Sequence, residues 1–350
     1  MISYAKLNTF LTEYTERNVE NQYRPVAVGR YGIRTRESIY SKELAKDYSK
    51  NKVIFQNTLT VGMGSVQIDI GILTEDVKYS VSPAYHTYKI AGINPDYLRY
   101  CLECRNQDMF ERYVKRGSRQ GKTIDLGRWL TYEIPVCEEY EQKEIVSKLD
   151  HVDSLITARR EQLAKLDELV KSRFIELFDG KGYPTRKWNE VFNTTTGKLD
   201  SNAMVENGEY PFFTCAKEVF RIDKYAFDQE ALLLAGNNAA GKYDVKYYKG
   251  KFNAYQRTYV LGLKEDWSYQ LFRYQLEDKL VYLQQQSLGG LTKYLTLKIL
   301  GELEFVVPPM DKQNEFTAFV EQTDKSKFEI QQSLEKLETL KKALMQKYFG

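Results

Sequence analysis

The sequence of 350 residues predicts an α+β chain built as a tandem pseudo-twofold repeat, two mixed globular segments alternating with two long helices. Two observations predict it. Residues 140–178 lie over 311–349 at a constant offset of 171 without a gap, and both stretches space their apolar positions alternately four and three apart. The segments ahead of them echo one another in order: strand, glycine turn, strand, aromatic-bearing helix, basic glycine turn. With 42% hydrophobic and 13% aromatic residues, the chain can bury two such cores, which excludes global disorder.

The first globular segment, 1–135, opens at Tyr4-Ala5-Lys6-Leu7-Asn8 and reaches a glycine turn at Val61-Gly62-Met63-Gly64-Ser65. It passes Tyr79-Ser80-Val81-Ser82-Pro83-Ala84-Tyr85, forms one helix over 95–114, and ends in the basic turn 116–122. The second, 181–307, opens at Trp188-Asn189-Glu190-Val191-Phe192 and reaches its glycine turn at 235–241. Strand-like runs follow at Lys246-Tyr247-Tyr248 and 252–260, then one helix over 268–285 and the turn 288–293.

The long helices, within 136–180 and 308–350, start after proline-bearing apolar stretches and contain no internal Gly or Pro. In the first, the inward series is Ile145, Leu149, Val152, Ile156, Arg159, Leu163, Leu166, Val170, Arg173 and Leu177. In the second it is Phe316, Val320, Thr323, Lys327, Ile330, Leu334, Leu337, Lys341, Leu344 and Tyr348. A 4-3 series sustained this long is a coiled-coil seam, and its polar members are expected to set register. Gly180 and Gly350 follow the last turns as stop signals. About 33 helical residues make a rod of roughly 50 Å. With the second helix ending at Gly350, no extension is expected that would staple the termini together.

The net charge is only +3, but it is unevenly spread: +5 over 1–135, −4 over 136–180, +2 over 181–307 and zero over 308–350. Arginines and lysines crowd at Arg24, Arg30, Arg34 and Arg36 and again between Arg112 and Arg128. No apolar run is long enough to span a membrane, and the N-terminus lacks a secretion layout. Four cysteines do not make a disulfide framework, so a reducing cytoplasm is expected. Twenty-seven tyrosines against two histidines favour recognition over His-dependent catalysis.

Catalytic motifs are missing. Residues 236–242 match phosphate-loop spacing, but Tyr243 stands where Ser or Thr should hold magnesium, and a strand follows rather than a helix. Cys101 and Cys104 lie in a helix with no second ligand pair. Glu141-Gln142-Lys143 opens a coiled-coil helix with no partner acid. The chain does not read as a stand-alone enzyme.

Taken with Gln142/Glu144 and Gln313/Glu315 at the helix starts, and with Ser82-Pro83-Ala84-Tyr85 and Gln256-Arg257-Thr258, this organisation resembles the specificity subunit of type I restriction–modification systems. The resemblance covers nearly the whole chain. It implies target-recognition domains at 1–135 and 181–307, and two helices, 136–180 and 308–350, packed as an antiparallel coiled coil. It implies a non-catalytic, DNA-binding role on a split double-stranded target. It further implies partners: two methyltransferase subunits and restriction/translocase subunits that hold the S-adenosylmethionine, ATP and magnesium, none of these cofactors belonging to this chain. The competing reading is a coiled-coil scaffold without DNA specificity.

Two domains on a rod of ~50 Å would span about 15 base pairs, so a bipartite site with an unread spacer follows from geometry. DNA-binding candidates in the first half are Arg30, Arg34, Arg36, Arg116, Ser118, Arg119, Gln120 and Lys122. In the second they are Lys217, Asn237, Asn238, Lys242, Gln256, Arg257 and Lys293. Arginine suits guanine edges and phosphates, and Asn or Gln suits adenine.

Overall fold

The computed structural model describes residues 3–39, 47–117, 121–239 and 241–350, with only the backbone of Arg116 and Gly117. The chain divides into two compact units, 1–161 with 331–350, and 162–330. Each unit therefore holds one globular segment together with part of each long helix.

In the first unit, β1 (Ser3–Lys6) runs antiparallel to β12 (Glu133–Val136), with Ser3 opposite Val136. A four-stranded antiparallel sheet has the order β2 (Leu11–Glu13), β9 (His86–Ile90), β6 (Thr58–Met63), β7 (Ile68–Leu73). Two ribbons lie against it, β3 (Val26–Gly29) with β4 (Gly32–Thr35), and β5 (Lys52–Ile54) with β8 (Tyr79–Val81). The strand β6 is buried along almost its whole length. Its Leu59 and Val61 pack with Tyr88, Leu98, Leu102 and Trp129, while Val26, Val28, Ile54, Leu73 and Val81 form a second, smaller core.

Helix α1 (Pro95–Tyr113) starts with proline at its first turn and with Asn94 as cap, its side chain accepting from the Tyr97 amide. A hairpin of β10 (Val114–Gly117) and β11 (Gly121–Ile124) follows, then α2 (Leu126–Trp129), capped by Asp125. After β12 comes the first long helix, α3 (Glu139–Phe178).

The second unit repeats this plan. Strand β13 (Thr185–Lys187) pairs antiparallel with β22 (Glu304–Val306), and the short α4 (Trp188–Val191) follows it. The sheet order is β14 (Phe192–Thr196), β20 (Thr258–Leu263), β17 (Phe227–Ala235), β19 (Val245–Ala254), with β15 (Tyr210–Phe213) and β16 (Phe220–Ile222) added at its edge. Its first four strands take the positions of β2, β9, β6 and β7. Leu232 and Leu234 of β17 enter one core with Trp188, Phe272 and Phe305, and Ala231 and Leu233 enter another with Phe213 and Phe252.

The helix expected over 268–285 is two helices, α5 (Tyr269–Asp278) and α6 (Leu280–Gln286). Lys279, at φ −84 and ψ −4, ends one and begins the next. A two-residue ladder joins β18 (Asn237–Asn238) to β21 (Lys293–Tyr294). Then come α7 (Leu297–Gly301), capped by Thr296, and the second long helix, α8 (Met310–Phe349).

The backbone bonds show which residues of the two openings correspond. The Leu7 amide donates to the Tyr132 carbonyl and the Trp188 amide to the Leu303 carbonyl, each at 3.0 Å, so Leu7 is the counterpart of Trp188.

Both long helices exceed the expected length, at 40 residues each, and the predicted 4-3 positions are the buried or half-buried ones along both. In the first unit Asp153 pairs with Lys341 at 2.9 Å and Arg160 with Glu338 at 2.7 Å. In the second, Asp167 pairs with Lys327 at 2.6 Å and Arg173 with Glu315. Rising numbers on α3 meet falling numbers on α8, so the helices are antiparallel in each unit. Lys327, Lys341 and Arg173 are polar seam members, and each finds an acid across the seam, as a register-setting position should. Partly exposed pairs of this kind add little stability, about 0–1 kcal/mol each.

The end of α8 packs into the first unit. Phe349 is fully buried beside Tyr97, ring centroids 5.1 Å apart, and Met345 joins the same core. That contact supplies the tie between the last helix and the first domain for which no extension was expected.

Candidate nucleic-acid interface

In the second unit the chain turns at one region of the sheet are tied to one another by backbone bonds. The Gly236 amide donates to the Arg257 carbonyl at 2.8 Å, and the Leu295 amide donates to the Gly236 carbonyl at 2.8 Å. A Cβ at position 236 would stand 2.4 Å from the Arg257 oxygen, so only glycine lets these two turns approach. Asn238 lies opposite Lys293 in the β18–β21 ladder, and its side chain accepts from the Lys242 amide at 3.3 Å. Cys215 donates to the same Arg257 carbonyl at 3.3 Å, bringing the 214–217 turn to this region.

Of the seven second-half candidates, Asn237, Asn238, Lys242, Arg257 and Lys293 are therefore held together. Gln256 and Lys217 lie on the adjoining turns. Lys217, Lys242, Gln256 and Arg257 are exposed, and the two asparagines and Lys293 are half-buried. Gln256 donates to Asp200 at 3.5 Å. Lys246, not singled out from sequence, is held between the Asp244 carboxylate and the Ala216 carbonyl and braces the 214–217 turn from below.

In the first unit the candidates fall into two groups. Lys122, on the β10–β11 hairpin, donates to the Ser65 carbonyl at the β6–β7 turn and lies over the Phe110 ring at 5.2 Å. Ser118, Arg119 and Gln120 lie outside the described residues, and of Arg116 only the backbone, opposite Lys122, is described. On the same hairpin, Lys115 of β10 bonds Asp125 at 2.7 Å and holds that carboxyl below its ordinary range. Lys52 donates to the Tyr85 carbonyl at 2.7 Å and so fixes the Ser82-Pro83-Ala84-Tyr85 turn; burial lowers its pKa.

The second group, Arg30, Arg34 and Arg36, sits on or beside the β3–β4 ribbon. Arg30 and Arg34 both lie over the Tyr31 ring, at 5.8 and 5.2 Å, and Tyr31 is 70% exposed. The ring holds two guanidiniums ready beside a cleft of about 670 Å³ lined also by Gln67, Thr74 and Asn106. Arg36 is half-buried over Tyr48 at 5.2 Å, with less reach than the other two. Sequence counting found the arginines and missed Tyr31, although an aromatic between two arginines was a readable signal.

A second constellation joins each domain to its helix. Gln142 accepts from the Asn94 amide at 2.9 Å and donates to the Cys137 carbonyl at 2.8 Å. Gln313 accepts from the Ser268 amide at 2.9 Å and donates to the Pro308 carbonyl at 2.8 Å. Asn94 and Ser268 are the N-caps of α1 and α5, so one buried amide clamps a helix start to a strand end in each unit. Among the described residues no group of three His, Cys, Asp or Glu side chains could hold a metal ion, and no helix is long and apolar enough to cross a membrane.

Two units of one topology, each with a loop-rich edge bearing basic and amide side chains and each clamped to an antiparallel helix pair, define a duplicated recognition-type chain. The model of the type I restriction modification DNA specificity domain matches residues 11–168 and again 180–342, and the chain belongs to that family. The type I restriction enzyme EcoDI specificity subunit of Escherichia coli is 34% identical over 165 residues, 46% of this chain and 35% of that protein. The chain thus matches about a third of that relative's length.

The fold is similar to that of the type I restriction–modification S subunit from M. genitalium, with a TM-score of 0.64 at 16% identity over 100% of this chain and 96% of that one. A chain from a structure on complex assembly and conformational transition of the type I R-M system gives 0.54 at 15% identity, covering 99% and 97%.

Proposed function

We propose that this protein is the DNA-specificity subunit of a type I restriction–modification complex, with each unit reading one part of a split double-stranded target. The observation that carries the reading is the duplication. The same sheet order and the same helix clamp recur; in the second unit glycine turns gather basic and amide side chains at the strand ends, and in the first Arg30 and Arg34 flank Tyr31 at the β3–β4 turn. Phosphate contacts would supply most of the affinity, and a few base-edge contacts the specificity, each worth about 1–3 kcal/mol. Arg30, Arg34 and Arg257 suit guanine or phosphate; Asn237, Asn238 and Gln256 suit adenine.

In this reading the chain is not itself catalytic. Two methyltransferase subunits and the restriction/translocase subunits bring the S-adenosylmethionine, ATP and magnesium, and the complex works in the cytoplasm. Exposed apolar side chains on the long helices, Tyr140, Leu169, Ile175, Phe328 and Leu340, offer surface for those subunits.

Long-read methylation mapping of DNA from cells expressing this chain with its neighbouring methyltransferase tests the proposal. The expected result is a split motif with N6-methyladenine in both halves, lost when the chain is deleted. Methylation that persists unchanged without the chain would refute it.

A further inference from the structure

The second unit carries an apolar hairpin tip where its basic edge would lead one to expect only polar groups. Leu288 and Tyr294 exchange backbone bonds of 3.1 and 2.9 Å, closing a loop over Gly289, Gly290, Leu291, Thr292 and Lys293. Gly289 adopts φ +100, and a Cβ there would lie 2.2 Å from the Thr292 carbonyl oxygen, so the tip is held in a conformation few residues can take. On it Leu291 is 95% exposed, and Leu288 and Tyr294 are 48% and 41% exposed. No other large apolar side chain among the described residues is as exposed as Leu291.

Its surroundings are those of the proposed DNA edge. Lys293 follows two residues on, opposite Asn238, and the Gly241–Lys242 turn packs against the Lys293 stem. In the first unit the equivalent hairpin is β10–β11. The capping residues Asp125 and Thr296, and the lysines Lys122 and Lys293, correspond at the same offset of 171 as the long helices. At that offset Leu291 corresponds to Gln120. One copy of the repeat has a hydrogen-bonding side chain at this point and the other a bare aliphatic one.

We infer that Leu291 is a wedge: bound DNA receives it between two stacked base pairs, which it partly separates while Lys293 and Lys242 hold the flanking phosphates. An aliphatic side chain pushed between base steps is how minor-groove proteins partly unstack and kink the duplex, and here it stands beside two lysines. Such a step adds specificity at base pairs no polar group touches, because pyrimidine–purine steps open most easily. The inference rests on the DNA-recognition reading and assigns to the second unit a mode of reading that Gln120 would not supply in the first.

The test uses the chain assembled with its methyltransferase and a duplex bearing the motif found by methylation mapping, with 2-aminopurine placed in turn at each step of the half-site read by the second unit. Fluorescence is expected to rise on binding at one step only. Leu291→Ala should abolish that rise and weaken specific binding about tenfold, the scale of one lost base-pair contact, with the salt dependence unchanged. Leu291→Phe should restore the rise, and Lys293→Ala should lower the salt slope instead.

The wedge is overturned if Leu291→Ala keeps both the affinity and the fluorescence rise. It is equally overturned if replacing thymine by uracil reproduces the loss with no unstacking, which would make Leu291 a methyl-group contact. A Leu291→Ala chain that fails to hold the methyltransferase would also overturn it, assigning the tip to protein docking. If the unaltered complex shows no salt-dependent, motif-selective binding, the recognition reading fails and the wedge with it.

Discussion

The two units dock the same kind of domain on the same pair of helices by different chemistry. In the first, the Tyr100 hydroxyl lies 2.6 Å from Asp150 and 2.9 Å from Asp153 on α3, and Lys341 of α8 bonds Asp153 in turn. Burial, reinforced by the bond to Asp150, raises the pKa of that hydroxyl, so it stays protonated and able to donate. In the second, Tyr274 packs with Phe174 and Phe316 at 4.9 and 5.3 Å, and Phe178 adds a further edge contact to each phenylalanine. Here burial pushes the Tyr274 hydroxyl up to about 12. What does not differ is the clamp: Gln142 and Gln313 make the same two bonds. The duplication kept the backbone join and let the side-chain packing diverge.

The largest effect that could break this comparison comes from the two buried phenylalanines, Phe349 and Phe178. Phe349→Ala should cost about 3–5 kcal/mol in the first unit, and Phe178→Ala a similar amount in the second. Hydrogen exchange read by peptide should quicken over 95–136 for the one and over 269–306 for the other. Exchange that quickens over both ranges for either variant would mean the units do not open separately.

Next come the clamps. Gln142→Ala and Gln313→Ala each leave a partly buried backbone amide and a carbonyl unmet, at a cost of about 1–3 kcal/mol apiece. The two losses should match within measurement error by thermal or denaturant unfolding, since the geometry is the same. A large inequality would show that the surrounding chemistry, polar or aromatic, sets the strength of the join.

The smallest effect sharpens the contrast. Lys341→Ala should cost under about 1 kcal/mol, and high salt should mask part of it, whereas Phe174→Leu should be insensitive to salt. Unfolding curves at low and high ionic strength give both numbers. A salt-independent loss at Lys341 would assign its role to packing of the side-chain stem.

Much of the fold was legible because its signals were periodic or punctuated. The 4-3 spacing along both long helices named the buried positions, and the glycine turns at 62–64 and 236–241 marked strand ends. The break at Lys279 was not legible, because no Gly or Pro announces it and Leu276, Glu277 and Leu280 around it favour helix. The correspondence of Leu7 with Trp188 was hidden because backbone bonds define it and the side chains differ.

In the candidate site, arginines and amides were found by type. Tyr31 escaped because its role lies in stacking two neighbours, and Leu291 because an aliphatic residue in a glycine run reads as loop filler. The glutamines were noticed as a motif, but their partners at 94 and 268 lie too far along the chain to be inferred.

The clamp touches only main-chain atoms of the domain it holds: an amide at a helix start and a carbonyl at a strand end. Such a joint is blind to the identity of what it joins. Any domain that presents a capped helix beside a strand at that spot meets the glutamine's terms, and only the helix side chains that face it, Asp150 and Asp153 in one unit and Phe174 and Phe316 in the other, have to be matched anew. The glutamines act as sockets for a backbone shape, and the identity of the domain is felt only by the side chains around them.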